Sequence, residues 1–297
     1  MLVIEVEKVM EQINLKGLFH KIEKDTFYKV SASGNDFIVY LNKEGKITLE
    51  EGKLLAQRLC RPKFSVSADG FIMLEKPTNP QAQLAWKFYN ADGSIAEMCG
   101  NGARAVARLA HELGLVKESF YLETLAGLIF AEVKNKRVKI SLGVPKDLKL
   151  DVTVRTEYDL YLVHYVNTGV PHIVLFWDNV DEAPLNKLGP ILRYHENFKP
   201  AGTNVNFVEI VRSEDKAYLK IRTYERGVEA ETLACGTGAS ASAFIAYKQG
   251  LLTPPIELIT KGGEILTVDI DKATDTIYLE GDTHYLFQFT LFEDAIL

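Results

Sequence analysis

The chain has 297 residues, of which 47% are hydrophobic, enough to bury a sizeable core, and two domains are the natural expectation. A formal net charge of −6 with no basic stripe argues against a nucleic-acid partner. The three cysteines, Cys60, Cys99 and Cys235, are too widely spaced for a disulfide framework or a zinc pattern, so no metal is expected.

Residues 1–25 place Val3, Val6, Met10, Ile13, Leu18 and Phe19 at helical spacing, which predicts an extension covering some surface, with no chemistry of its own. Its opening is too acidic and too short in its apolar run for a signal peptide, and no later run approaches the roughly 20 residues that cross a bilayer. A cytoplasmic location away from membranes is the expectation. A strand at 27–30 then opens the core and runs through Gly34-Asn35-Asp36 into the apolar 37–40. Asn35 is either a plain turn residue or an amide aimed at a ligand. Residues 50–61 predict an amphipathic helix with Leu54, Leu55, Leu59 and Cys60 on its apolar face, so Cys60 reads as a packed core thiol. A turn at Ala68-Asp69-Gly70 leads into the next strand. Residues 84–89 alternate as a strand that delivers Asn90 and an Ala-Asp-Gly turn to the stretch before Cys99.

After the helix that follows Cys99, residues 120–133 and 138–142 read as a strand pair joined at Lys134-Asn135-Lys136, with Gly143-Val144-Pro145 as linker. The second half restarts with strands over 158–167 and 173–177, flanking Thr168-Gly169-Val170-Pro171-His172. The segment 201–210, with Asn204, resembles the Asn35 segment in role. A strand at 218–224 feeds Glu225-Arg226-Gly227 and the helix after Cys235. Strands at 256–260, 265–270, 276–279 and 286–291 finish the chain. This is an α+β pattern with a single principal helix per half.

One device occurs twice. Cys235-Gly236-Thr237-Gly238-Ala239-Ser240-Ala241 repeats Cys99-Gly100-Asn101-Gly102-Ala103-Arg104-Ala105, with Tyr89 and Tyr224 upstream and Thr124/Gly127 and Thr260/Gly263 downstream. Such self-similarity is the mark of an internal duplication. Each copy sets a thiol where a loop becomes a helix, and there free N–H groups and the helix dipole favour an anion. A thiol so placed is expected to ionise below its free pKa of roughly 8.5. The glycine pattern also matches a loose dinucleotide fingerprint, but no long parallel strand precedes it and no βαβ alternation follows.

Removing a proton from carbon next to a carboxylate needs a placed base and a clamp for the charge that grows on the carboxylate. Two thiols and the N–H groups of Gly100, Asn101, Gly236 and Thr237 supply both, so a two-base proton shuttle without a cofactor is the expectation. Asn35, Asn90 and Asn204 add amides, Glu225 a carboxylate for an ammonium, and Arg226 a fork for a carboxylate. That set fits a small amino-acid substrate. His172 and Glu225 are further candidates to orient a thiol and set its charge. A redox switch in a binding protein would also use two thiols, but it needs no duplicated glycine clamp.

These motifs, with Gly34-Asn35-Asp36-Phe37, Asn90-Ala91-Asp92-Gly93-Ser94, Asn204-Val205-Asn206-Phe207 and Glu225-Arg226-Gly227, resemble the diaminopimelate epimerase family from about residue 26 to the end. The resemblance implies two pseudo-symmetric domains, each a barrel-like mixed sheet around a central helix, with the active site in the cleft between them. It places the domains at 26–143 plus 281–297 and at 144–280. It implies PLP-independent conversion between LL- and meso-2,6-diaminopimelate, in lysine and peptidoglycan precursor synthesis, by a homodimer. Carried over residue by residue, it makes Cys99 and Cys235 the bases. Substrate contacts fall to Asn35, Asn90, Asn204, Glu225 and Arg226, and the clamp to Gly100, Asn101, Gly236 and Thr237. The runner-up is a related racemase of another amino acid, such as histidine. The sequence departs from the family pattern at Val170, where asparagine is usual, at Ser65-Val66-Ser67, in the one-residue-longer 228–231 loop, and in its first 25 residues.

Overall fold

The computed structural model describes residues 14–214 and 216–297. The predicted helical positions Val3, Val6, Met10 and Ile13 lie outside the described residues. The chain divides into two compact units, one running to Lys136 and closed by Thr283–Leu297, the other Arg137–Asp282. No helix among the described residues is long and apolar enough to cross a membrane.

In the first unit, β1 (Phe27–Ala32) pairs antiparallel with β2 (Asn35–Leu41), which runs parallel to β3 (Gly70–Glu75). Strand β3 pairs antiparallel with β4 (Leu84–Asn90), which carries the short β5 (Ile95–Ala96) and runs parallel to β6 (Ser119–Thr124). Strand β7 (Gly127–Lys134) completes a hairpin with β6. In the second unit, β10 (Leu160–Asn167), β11 (Pro171–Phe176), β12 (Asn204–Arg212), β13 (Ala217–Glu225), β14 (Ala230–Thr232), β15 (Ile256–Ile259) and β16 (Ile265–Ile270) repeat that order. They also repeat the sequence of antiparallel and parallel pairings. The last strand, β18 (His284–Phe289), pairs with β1 as β9 (Lys146–Arg155) pairs with β10. The duplication read from two cysteine motifs therefore extends to the pairings of β1 to β7 with β18 and of β10 to β16 with β9.

The shared register equates positions. Parallel pairs Phe37↔Gly70 and His172↔Asn204 make Phe37 the counterpart of His172, and Gly70 of Asn204. Antiparallel pairs Phe71↔Tyr89 and Ile72↔Phe88 answer Val205↔Tyr224 and Asn206↔Thr223. Two residues before Phe37 and His172 stand Asn35 and Val170. The Asn35 segment thus has its counterpart at 169–172 and not at 201–210, because β12 occupies the place of β3 in its sheet.

Helix α3 (Gly100–Glu112) packs against β18, β1, β2 and β7, strands from both ends of its sheet, so the sheet curls around it. Residues 101–107 are buried without a break, the mark of a helix covered on every face. Helix α5 (Gly236–Lys248) sits likewise against β10 to β13, β15, β16 and β17 (Ile277–Asp282). Both end on a glycine with positive φ, Gly114 and Gly250, where a side chain would be strained.

A second helix covers the outer face of each sheet. Helix α2 (Leu49–Leu59) starts on a capping box between Thr48 and Glu51 and packs on β3 and β4. Its counterpart α4 (Leu185–Arg193) packs on β12 and β13 and was not expected, because Gly189-Pro190 reads as a breaker. Packing overrides that preference. A Cβ at Gly189 would approach the Tyr224 ring to 2.7 Å, and one at Gly52 would come as close to the Tyr89 hydroxyl, so each outer helix seats a glycine on the equivalent tyrosine.

Three further expectations change. Residues 14–22 form helix α1, whose Leu18 and Ile22 belong to one core with Phe27, Leu55 and Leu59, so this segment is part of the first unit and not a surface cover. Residues 120–133 are two strands, β6 and β7. Strand β8 (Arg137–Gly143) pairs with β17 (Ile277–Asp282), so the units part after Lys136 and not at 143, and 281–282 stay with the second. Strand β9 shows no clear strand signal in the sequence, because its lysines and aspartates suit an exposed edge. Cys60 is buried in the first core, as its apolar face implied, and that burial pushes its thiol up to about 12.

Candidate active site

Parallel pairing of β2 with β3 and antiparallel pairing of β3 with β4 bring the loops before β2 and β3 and the end of β4 to the same end of the strands in the first sheet, and the corresponding loops to the same end in the second. The N-termini of α3 and α5 carry the cysteines. Cys99 has extended backbone and is the N-cap of α3, its sulfur accepting the Gly102 N–H at 3.4 Å. Cys235 caps α5 in the same way, accepting the Gly238 N–H at 3.4 Å. The first intrahelical bonds, Ala103 to Cys99 and Ala239 to Cys235, leave the N–H groups of Gly100, Asn101, Gly236 and Thr237 ahead of the ladder.

In the first unit an amide chain supports the cap. The Asn101 amide donates to Asn35 Oδ1 at 2.8 Å, and the Asn35 amide donates to Asp69 at 2.9 Å. Arg104, wholly buried one turn further along α3, donates to Asn101 Oδ1 at 2.9 Å and to the Ser33 hydroxyl. Asn90, exposed at the end of β4, donates to Ser94 Oγ across the Ala-Asp-Gly turn. Arg104, Asp69 and Ser33 had no role assigned from the sequence. An arginine among the alanines of a central helix was the available signal, since a buried cation requires partners.

The second unit is built differently. His172 is fully buried, with Nε2 3.0 Å from Thr237 Oγ1 and Nδ1 3.1 Å from the Asn206 amide. Thr237 Oγ1 lies 3.5 Å from Cys235 Sγ. Burial, with Arg226 adding to it, pushes the His172 pKa down to about 3, so the ring is neutral. Glu225 ends β13, the counterpart of Asn90, and accepts from Thr232 Oγ1 at 2.9 Å. Burial raises its pKa, the Thr232 hydroxyl opposing. Asn204 is buried, donating to the Pro171 carbonyl at 2.9 Å and accepting the Arg226 N–H at 2.8 Å, so it ties the Glu225-Arg226 loop to β11. The Arg226 guanidinium donates to the Ala201 carbonyl at 3.4 Å.

One expectation about charge is reversed. Burial first, then the Glu225 carboxylate, push the Cys235 thiol up to about 12, outweighing the Thr237 and Gly238 donors. Cys235 is thus held as a neutral thiol despite its helix terminus, because desolvation acts on the whole charge while the helix dipole acts only around the first turn.

The architecture is shared with solved structures of low identity. A PhzF-family phenazine biosynthesis protein of Bacillus anthracis aligns with a TM-score of 0.69 over 90% of this chain and 99% of that one, at 15% identity. A hydroxyproline epimerase of Agrobacterium vitis aligns at 0.64 over 89% and 91%, at 16% identity. The fold class is therefore the duplicated two-domain α+β fold of the PhzF and proline racemase-type proteins. The family model described as diaminopimelate epimerase matches residues 27–147 and 164–286. The chain belongs to the diaminopimelate epimerase family. It is 41% identical to the diaminopimelate epimerase of Aquifex aeolicus over 279 residues, covering 91% of this chain and 99% of the relative. To that of Hydrogenobaculum sp. it is 44% identical over 270 residues, covering 88% and 96%.

Proposed function

We infer that this protein is an isomerase that converts LL-2,6-diaminopimelate to meso-2,6-diaminopimelate by a two-base mechanism without a cofactor. The observation that carries this reading is the placement of Cys99 and Cys235 at the N-caps of the two sheet-wrapped helices in a chain of this family. One cysteine, as thiolate, takes the α-proton, and the electron pair left on carbon delocalises into the α-carboxylate. The other cysteine, as thiol, gives its proton to the opposite face of that carbon. Configuration inverts, atoms and charge balance, and the two sulfurs have exchanged protonation states.

Each residue then has a task. The leading N–H groups of Gly100, Asn101, Gly236 and Thr237 hold the carboxylate on which charge grows, as fixed donors do for oxyanions. Glu225 receives an ammonium of the substrate. That ammonium cancels the carboxylate charge facing Cys235, which removes the second of the two causes that raise its thiol, burial being the first, and leaves the Thr237 and Gly238 donors acting toward the thiolate. Arg226, Asn35 and Asn90 serve the remaining amino-acid groups, and Asn204 holds the loop that carries Glu225 and Arg226. The named relatives and the retained Glu225-Arg226 favour diaminopimelate over a different amino acid. The family resemblance further supports a cytoplasmic homodimer that serves lysine and peptidoglycan precursor synthesis. The test is α-proton exchange in deuterium oxide. LL- and meso-diaminopimelate should each take up α-deuterium with interconversion, and faster racemisation of another amino acid would overturn the assignment.

A further inference from the structure

The duplication supplies an internal control. The three places that His172, Asn206 and Thr223 take in the second unit are held in the first by Phe37, Ile72 and Phe88. All six are at most 5% exposed, and Phe37 and Phe88 meet edge to face at 5.9 Å. Wrapping this sheet around this helix therefore requires no polar group at these places. Buried polar groups are costly unless each finds its partner, so a satisfied set here calls for a reason other than packing.

Its bonds run in one direction. The Ile173 carbonyl, an acceptor only, lies 2.8 Å from Asn206 Nδ2, which fixes that atom as the NH2 group. The second hydrogen of the same nitrogen points to His172 Nδ1 at 3.1 Å, and the Thr223 hydroxyl donates to Asn206 Oδ1 at 2.9 Å. Nδ1 must then accept, the proton of the neutral ring sits on Nε2, and Nε2–H donates to Thr237 Oγ1 at 3.0 Å. The Thr237 O–H is left to point at Cys235 Sγ, 3.5 Å away. A Cβ at Gly238 would come within 2.4 Å of Asn206 Oδ1, so the motif glycine is what lets Asn206 lie under the first turn of α5.

We propose that Asn206, held by Thr223, is a positioning residue that fixes the Nε2–H tautomer of His172 and so aims the Thr237 hydroxyl at the Cys235 sulfur as a donor. This rests on the reading of Cys235 as one of the two bases. Its effect is to favour the thiolate, against the Glu225 carboxylate that opposes it. The sulfur meets a donor and not an acceptor, so its own proton when present is not drawn back toward the protein. Arg226 is the charged group that acts on His172, and it too disfavours an imidazolium. In Asn206→Asp the new carboxylate accepts instead of donating and draws the ring proton to Nδ1. Nε2 then accepts from Thr237, and the sulfur loses its donor.

The experiment is 15N NMR of the full chain labelled in histidine, with kinetics on variants. Wild-type His172 should show a protonated Nε2 and a bare Nδ1, and Asn206→Asp the reverse. The kcat of Asn206→Asp should fall about 10- to 100-fold, the size of one hydrogen bond to a charged group, with KM little changed. Thr237→Val should fall comparably, and the double variant should lose no more than the worse single one. A wild-type Nδ1–H tautomer or an imidazolium overturns the proposal, as do losses that multiply in the double variant. The tautomer is read on unaltered protein, so a misfolded variant does not shield the proposal. An absence of diaminopimelate turnover in wild type would instead sink the functional reading and leave the tautomer result standing.

Discussion

The Asn101 amide donates to Asn35 Oδ1 at 2.8 Å, and the residues at the same two places in the second unit, Thr237 and Val170, make no such pair because Thr237 turns to His172. Each half therefore holds its cysteine cap by different chemistry. Behind Cys99 stand amides and a buried guanidinium, and around Cys235 stand a neutral imidazole and a carboxylate. Two caps of one shape are thus electrostatically unlike.

Inversion needs both sulfurs, whereas loss of an α-proton needs one. Cys99→Ser and Cys235→Ser should each lower epimerisation by at least about 10²-fold, the low end for a general acid or base. With an analogue bearing a β leaving group, each variant should still eliminate from one stereoisomer only. Elimination from both stereoisomers by either variant would contradict the assignment of one sulfur to each face.

Burial first, and then the Glu225 carboxylate, push the Cys235 thiol up. Glu225→Gln removes that opposing charge, so alkylation of Cys235 by iodoacetamide at fixed pH should become faster. Binding of diaminopimelate should weaken, since the ammonium loses its partner. Peptide mapping of the alkylated protein reads the first effect. Unchanged or slower labelling at Cys235 would show that Glu225 does not set its charge.

The neutral, buried His172 links stability to pH. Its pKa is about 3 in the fold against 6.5 in the unfolded chain, so below 6.5 the unfolded chain binds a proton that the folded chain refuses. The stabilising contribution is fully present above pH 6.5 and is lost as pH falls toward 3, at a slope of up to about 1.4 kcal/mol per pH unit. Urea unfolding at pH 6.5 and 5.5, above most carboxylate titrations, should show this slope in wild type and a smaller one in His172→Gln. Equal slopes would place the titration elsewhere.

The paired motif glycines should behave unequally. A Cβ at Gly102 meets Trp86 and Ile72 at 3.4–3.5 Å, ordinary contact distances, and alanine raises helix propensity there. Gly102→Ala should leave stability unchanged or raise it by up to about 1 kcal/mol. At Gly238 the Cβ meets Asn206 Oδ1 at 2.4 Å, so Gly238→Ala should cost about 1–3 kcal/mol, a typical price of overpacking. Thermal unfolding of the two variants compares them directly. Equal midpoints would mean that Asn206 yields freely.

The sequence by itself determined what depends on local chemistry. Two Cys-Gly-x-Gly starts before alanine-rich runs specify thiol-capped helices, and the alternation of 84–89 or 265–270 specifies strands, because spacing along the chain dictates which groups share a face. The duplicated motif and its family resemblance also reached both cysteines and the loops around them. What only the tertiary structure decided depends on groups distant in sequence. Helix α4 forms around Gly189-Pro190 because Tyr224 is there to receive it, and β8 joins the second unit because its partner is β17. The roles of Asn206 and Thr223 were hidden for the same reason. Nothing in the run 204–207 says that its second asparagine faces a histidine from β11, a threonine from β13 and a glycine from α5. Nor could the charge of Cys235 be read from its helix terminus, since burial and Glu225, supplied by the rest of the fold, outweigh the local donors.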